Sequence, residues 1–127
     1  MIVTDNRVAA FIADGLKYPL CPPYSFMGWE RDGAITGAAL FNCFEGPDVH
    51  VGAVGTGWTR GFLKAVGDYV YRQLGCTRMT LTTESETVAR YAERLGGKRE
   101  GVLRSHFGPG RDGIVIGVLK SEYLYLT

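Results

Sequence analysis

The stretch Gly52 to Gly75, GAVGTGWTRGFLKAVGDYVYRQLG, decides how this chain is read. It leaves the end of an expected strand, passes through a glycine-rich turn and enters an amphipathic helix. Leu63, Val66, Val70 and Leu74 recur at the three-and-four spacing of one buried helical face. Lys64, Asp68 and Arg72 follow one another at i,i+4 on a second face, where alternating charges suit water. Gly55, Gly57 and Gly61 crowd the turn and the first helical residues. Such a turn exposes backbone N–H groups and the positive end of the helix dipole, which together suit an anion, most often phosphate. A tight strand-to-helix turn that needs φ > 0 would use the same glycines, so the turn alone leaves both readings open.

At 127 residues the chain supports one domain, residues 1–127, with a core of its own. A net charge of +1 gives no reason to expect nucleic acid or an anionic membrane as partner. The 18 glycines are spread along the chain, as tight turns require, rather than gathered in a linker. Cys21, Cys43 and Cys76 have no ligand-like spacing, and with only His50 and His106 beside them no metal site is expected. Reduced thiols in a cytoplasm are the simplest reading. No apolar run approaches the roughly 18 residues of a membrane span, and MIVTDNRVAAFIADG, with its early acidic residue, is not expected to be a signal peptide.

Working outward, Thr4 is expected to cap a short helix with Val8, Phe11 and Ile12 on one face, ended by Gly15. Lys17 to Ser25 holds three prolines and reads as a loop. Phe26–Arg31, Ala34–Phe44 and Val49–Val54 read as an antiparallel meander, turned at Asp32-Gly33 and at Glu45-Gly46-Pro47-Asp48. In its third strand Val49, Val51 and Ala53 share one face, and His50, Gly52 and Val54 the other. After the central helix, Thr77–Thr82 is expected to run parallel to that third strand through a right-handed crossover. Thr83-Glu84-Ser85-Glu86 has a capping-box pattern that opens another helix, with Val88, Tyr91, Ala92 and Leu95 as its buried face and Gly96 as its stop. Val102–Arg104 and Gly113–Lys120 are the last strands, joined by the turn His106 to Asp112. The order is that of one α+β domain.

Four groups of residues sharpen this. They are Asp68-Tyr69-Val70-Tyr71 followed by Gln73-Leu74-Gly75; Arg94-Leu95-Gly96; Glu100-Gly101 with Arg104; and Asp112, Gly113-Ile114-Val115 and Val118-Leu119-Lys120-Ser121-Glu122. From about Gly28 onward they resemble GNAT N-acetyltransferases, nearest the branch of ribosomal-protein N-terminal acetyltransferases (D-Y-x-F-x-x-L-G, K-L-G-F, E-G-x-x-R) and nearer still small GNAT proteins of phages. The resemblance implies a GNAT acyl-CoA N-acyltransferase fold: a central mixed sheet with an antiparallel meander and flanking helices, its N-terminal part shortened. It also implies acetyl-CoA as co-substrate, an amine-bearing acceptor (small molecule or protein), action as monomer or homodimer, and a cytoplasmic protein, of phage or prophage origin in the nearest case.

In that family the pantetheine lies where the third meander strand and the next parallel strand splay apart, and the pyrophosphate sits on the turn before the helix. Carried over, the strand part is Val51, Ala53 and Val54. The turn is Gly55, Gly57, Trp58, Thr59, Arg60 and Gly61. Ser85 stands at the family's asparagine. The family's R-x-x-G-x-A/G element falls on Val54, Gly57 and Thr59, so only its central glycine is kept. Arg60 is placed to replace the lost charge, since a guanidinium pairs bidentately with phosphate; a solvated charge is the plainer use. The family's phenylalanine after the later helix is Gly97, and its tyrosine acid falls on Ala92. Tyr91 stands one residue early, a turn of about 100° on a helix, which favours packing in the core over acid catalysis.

Acetyl transfer from a thioester needs a neutral amine, donors for the oxyanion and a proton for the leaving thiol. An α-amine titrates at about 8 and a lysine at about 10.4, so a base helps. Oxyanion donors in this fold would be backbone N–H groups near Val51 to Ala53. His50 is the candidate base, with a half-exposed strand histidine as the structural alternative. Glu30 and Glu45 are candidates to hold an ammonium, and the His106 loop to line an acceptor groove. A GNAT-shaped protein that binds CoA or a protein partner without turnover is the competing reading, favoured by the changes at Val54, Thr59, Ser85 and Ala92. A nucleotide-binding loop is a third, disfavoured reading: G-x-G-x-x-x-G after a meander is neither the dinucleotide fingerprint nor its setting. The aromatic tail Tyr123 to Leu126 is expected to pack within the monomer, with subunit pairing as the alternative.

Overall fold

The computed structural model describes residues 1–126. In chain order it holds β1 (Ile2–Val3), α1 (Asn6–Leu16), β2 (Tyr24–Arg31), β3 (Ala34–Asn42), β4 (His50–Gly55), α2 (Arg60–Gly67), β5 (Arg78–Thr83), α3 (Glu86–Arg94), β6 (Lys98–Leu103) and β7 (Gly113–Leu119). The strands form one seven-stranded sheet in the order β1-β2-β3-β4-β5-β7-β6. Every pairing is antiparallel except β4 with β5.

Helices cover both faces over β2–β4. On β3, Ala38 and Leu40 turn to one face, where Val8 and Ile12 of α1 complete a core cluster. Ala39 and Phe41 turn to the other and join Phe62, Val66 and Val70. A strand buried on both faces reads as a continuous apolar run, and Gly37–Phe41 does. Over β5 only one face is covered. Met79 lies in the core under α2 and α3, while Arg78, Thr80 and Thr82 alternate to the opposite face.

Several boundaries differ from expectation for identifiable reasons. The cap of α1 is Asp5, whose Oδ1 accepts the Arg7 N–H at 3.0 Å, rather than Thr4. The helix runs past Gly15 to Leu16, and Lys17 takes the left-handed conformation at φ 67°. Gly15 is used for contact instead: a Cβ there would collide with Val54. β3 stops at Asn42 because Cys43 has φ 52°. The central helix is α-helical only to Gly67 and π-helical over Asp68–Gln73, with Leu74 N–H bonded to Tyr69 C=O at 2.8 Å. The wider turn buries both Val70 and Tyr71, and the Tyr71 hydroxyl donates to Val118 C=O at 2.6 Å. Along it the charges pair as read: Asp68 accepts from Lys64 at 3.0 Å and from Arg72 at 2.7 Å. The cap of α3 is Ser85, two residues beyond Thr83, and Thr83 Oγ1 instead accepts the Ser85 N–H at 3.0 Å. β6 is four residues longer at its start than expected, an exposed edge strand with charge at Lys98, Arg99 and Glu100.

The tail packs on its own chain. Tyr123 is buried against Gly67, and its hydroxyl donates to Leu63 C=O at 2.6 Å, while Leu124 is exposed. All three cysteines are free thiols. Among the described residues no helix is long and apolar enough to cross a membrane.

Candidate active site

The parallel pair of β4 and β5 is the break in the sheet. It has a single rung, His50 opposite Thr80, beside which Thr80 N–H bonds Val49 C=O at 3.0 Å. Peptide groups along a strand turn alternately to its two neighbours. Those of Val49, Val51 and Ala53 therefore face β5, and those of His50, Gly52 and Val54 face β3. Beyond the rung the strands separate, so Ala53 presents its N–H and C=O to an open gap.

On the side of α2 and α3 this gap widens into a cleft of about 370 Å³. Its walls are Val51, Ala53 and Gly55 of β4, Thr56 to Trp58 of the turn, Leu63 and Val66 of α2, and Met79 and Leu81 of β5. Thr87, Val88, Tyr91, Ala92 and Leu95 of α3 face them, and Val118 and Tyr123 close the inner end. No histidine, cysteine or carboxylate is among these residues, so the cleft offers apolar walls, backbone groups and a few hydroxyls.

The turn at its mouth is held from below. Gly55 and Gly57 have φ of 81° and 75°, where a side chain would be strained and would also strike Thr36. Thr56 N–H bonds Thr36 C=O at 2.8 Å, and Trp58 Nε1 donates to Gly55 C=O at 3.3 Å. The indole stacks on Phe62 at 4.5 Å, and Phe62 on Trp29 at 5.9 Å. Thr59 caps α2: its Oγ1 accepts the Phe62 N–H at 3.2 Å and its C=O the Leu63 N–H. The N–H groups of Arg60 and Gly61 are left over at the positive end of the helix. Arg60 is exposed and makes no ion pair among the described residues. The mouth is thus suited to an anion.

Val51, Ala53, Gly55, Gly57 and Trp58 line the cleft, and Thr59, Arg60 and Gly61 form the helix start beside it. Val54 does not: strand alternation turns it to α1, where it packs with Phe11 and Leu16. Ser85 is beside the cleft rather than in it, its Oγ accepting the Val88 N–H at 3.2 Å. Tyr91 is not packed in the core. Ala89 and Ala92 take that place, and the half-exposed Tyr91 spans the mouth, its hydroxyl donating to Trp58 C=O at 3.3 Å. Val88 likewise lines the cleft instead of being buried. The apolar periodicity of α3 marks a cavity wall, which looks like a core face in sequence.

His50 lies on the opposite side of the sheet from the cleft, at the rung where the strands part. Its Nε2 is 3.9 Å from Asp48 Oδ2, and the side chain is 43% exposed. Both Asp48 carboxylate oxygens accept from the buried Thr80 hydroxyl at 2.9 Å, and Arg78 Nε lies 3.5 Å away. Arg78 also bonds Glu100 at 2.6 Å across Gly117. This polar cluster escaped the sequence reading. The Arg-x-Thr-x-Thr alternation of β5 was its visible trace, but its partners come from a turn and from β6. Glu30 is committed elsewhere, bonded by Arg7 at 2.6 Å. Glu45 lies in the β3–β4 connection with its N–H on Asp48 C=O, and His106 stands edge-on to Phe107 beside Gly113.

A sheet that parts along its one parallel pair, with a glycine turn and helix start at the head of the parting, is the fold of the GNAT acetyltransferases, and this chain has it. Three solved structures show the likeness. Spermidine N-acetyltransferase SpeG from Vibrio cholerae in complex with manganese ions matches at 15% identity over 98% of this chain and 94% of its own, with TM-score 0.77. A mutant of the same enzyme gives 14%, 98%, 97% and 0.78. A chimera of it with hSSAT gives 14%, 98%, 98% and 0.77. At such identity the likeness is one of fold alone. No protein-family model and no curated protein matches the sequence.

Proposed function

We propose that the protein transfers acetyl from acetyl-CoA to an amine by direct attack within a ternary complex. The observation that carries this reading is the parting of β4 from β5 after one rung, with an apolar cleft on one side and an anion-suited turn at its head. The residues fit the co-substrate: the Ala53 C=O offers a strand-edge hydrogen bond to an amide N–H of a pantetheine arm, and the N–H groups of Arg60 and Gly61 with the Arg60 guanidinium suit its pyrophosphate. The amine nitrogen bonds to the thioester carbon as the C–S bond breaks. One amine proton passes to a base, and the thiolate leaves with a proton of its own. The backbone N–H of Ala53, beyond the rung, would stabilise the oxyanion. His50, set at the rung with Asp48 Oδ2 3.9 Å from its Nε2, is the base we assign, reached from the face away from the cleft; Tyr91 is left to the mouth.

The acceptor is a small-molecule or protein amine. Because the solved structures of like fold act on spermidine, polyamines head the panel to be tried. Calorimetry with CoA and acetyl-CoA tests the site: micromolar binding weakened by both Arg60→Ala and Gly57→Trp supports it, and no binding at millimolar ligand sinks it. A second reading, binding without turnover, is favoured by the absence of any histidine or carboxylate from the cleft. Binding without acetyl transfer across an amine panel would select it.

A further inference from the structure

The cleft does not end where the reacting carbonyl would sit. Resting on the coenzyme reading above, the carbonyl lies at the free N–H of Ala53. Met79 precedes the Thr80 of the rung by one residue and so lies level with Val49, and Val118 is paired with Met79. On β4 the wall of the cleft runs from Ala53 to Val51, two strand residues or about 7 Å, and stops short of Val49. The methyl of an acetyl group extends one bond beyond its carbonyl carbon, about 1.5 Å. It would leave most of this depth empty.

The inner chamber is hydrocarbon on all sides: Val66, Met79, Ala92, Leu95, Val118 and the ring of Tyr123. The one hydroxyl among them is spent, since Tyr123 donates to Leu63 C=O at 2.6 Å. A buried water needs two to four polar partners, and these walls supply none. The space therefore favours an apolar occupant continuous with whatever fills the cleft above it. We infer that the chamber receives the acyl chain of the co-substrate, and that acyl groups in the butyryl-to-hexanoyl range are bound and transferred in preference to acetyl. The transfer is the same displacement, C–N forming as C–S breaks, with a longer chain on the carbonyl.

Calorimetry on the intact protein with CoA, acetyl-CoA, butyryl-CoA and hexanoyl-CoA tests this. The expected result is a gain of about fourfold in affinity per added methylene up to hexanoyl. Ala92→Leu fills the chamber and should cut the hexanoyl-to-acetyl affinity ratio by about tenfold. Leu95→Ala widens it and should move the preferred chain longer, so the two variants act in opposite directions. Acetyl-CoA binding as tightly as the longer thioesters would overturn the inference while CoA binding itself keeps the coenzyme site. Failure of CoA and all its thioesters to bind would overturn both. The wild-type series decides the matter even if either variant fails to fold.

Discussion

The Tyr91 hydroxyl bonds the Trp58 carbonyl at 3.3 Å, joining α3 to the β4–α2 turn across the mouth of the cleft. Whatever enters passes this bridge. Tyr91→Phe removes one hydrogen bond of ordinary strength and leaves the ring. CoA association should quicken by about two- to tenfold in the variant. Stopped-flow following tryptophan fluorescence measures it, and an unchanged rate would mean the bridge is no barrier.

The Thr80 hydroxyl holds both oxygens of Asp48 beside the only rung between β4 and β5. Thr80→Val keeps the shape and removes the donor from a charged acceptor. A loss of about 1.5–3 kcal/mol in urea unfolding is expected. Thr80→Ser should recover most of it, because the donor returns.

Tyr71 and Tyr123 have their phenols buried, and burial pushes both well above the ordinary tyrosine range. A raised folded value means stability that is whole below pH 10 and is lost as pH climbs through the folded value. Of the seven tyrosines, these two should ionise only together with alkaline unfolding. Absorbance at the tyrosinate band, followed alongside circular dichroism, would show it; full ionisation of every tyrosine in a folded protein would refute it.

At the acid end the sign reverses. Arg7 holds Asp5, Arg111 holds Glu84, Arg99 holds Glu86 and Lys98 holds Glu122 below the usual carboxylate range. Each contributes stability above its unfolded value of about 4, lost as pH falls through the lower folded value. The melting temperature should be flat from pH 7 to about 5 and fall below about 4. Because these pairs are exposed, salt should shrink the fall. A melting temperature unchanged down to pH 2 would show the pairs to be without consequence.

The meander, the central helix and the closing strand were legible because each carries its burial in its period. Gly37–Phe41 is apolar on both faces, and Leu63, Val66 and Val70 follow one helical stripe. β6 was obscured because an edge strand needs no buried face, and Lys98, Arg99 and Glu100 read as loop. The turn at Gly55 to Gly61 was visible from its glycines, of which Gly55 and Gly57 have φ values that require them. Tyr91 was misjudged since periodicity identifies an apolar side without telling a filled core from a hollow. Asp48 was invisible for another reason: its importance comes from Thr80, thirty-two residues away.

The sheet has β1 to β4 sewn by antiparallel ladders, and β5, β7 and β6 sewn likewise. Between them runs one stitch. Mechanically these are two leaves joined by a short spine and by the core beneath it, where Phe41, Val66, Met79 and Val118 pack in one cluster. A molecule lodged in the cleft with hydrogen bonds to Ala53 would act as the missing seam. The protein would then be least rigid when empty, and its melting temperature should climb with occupancy as the leaves are fastened together.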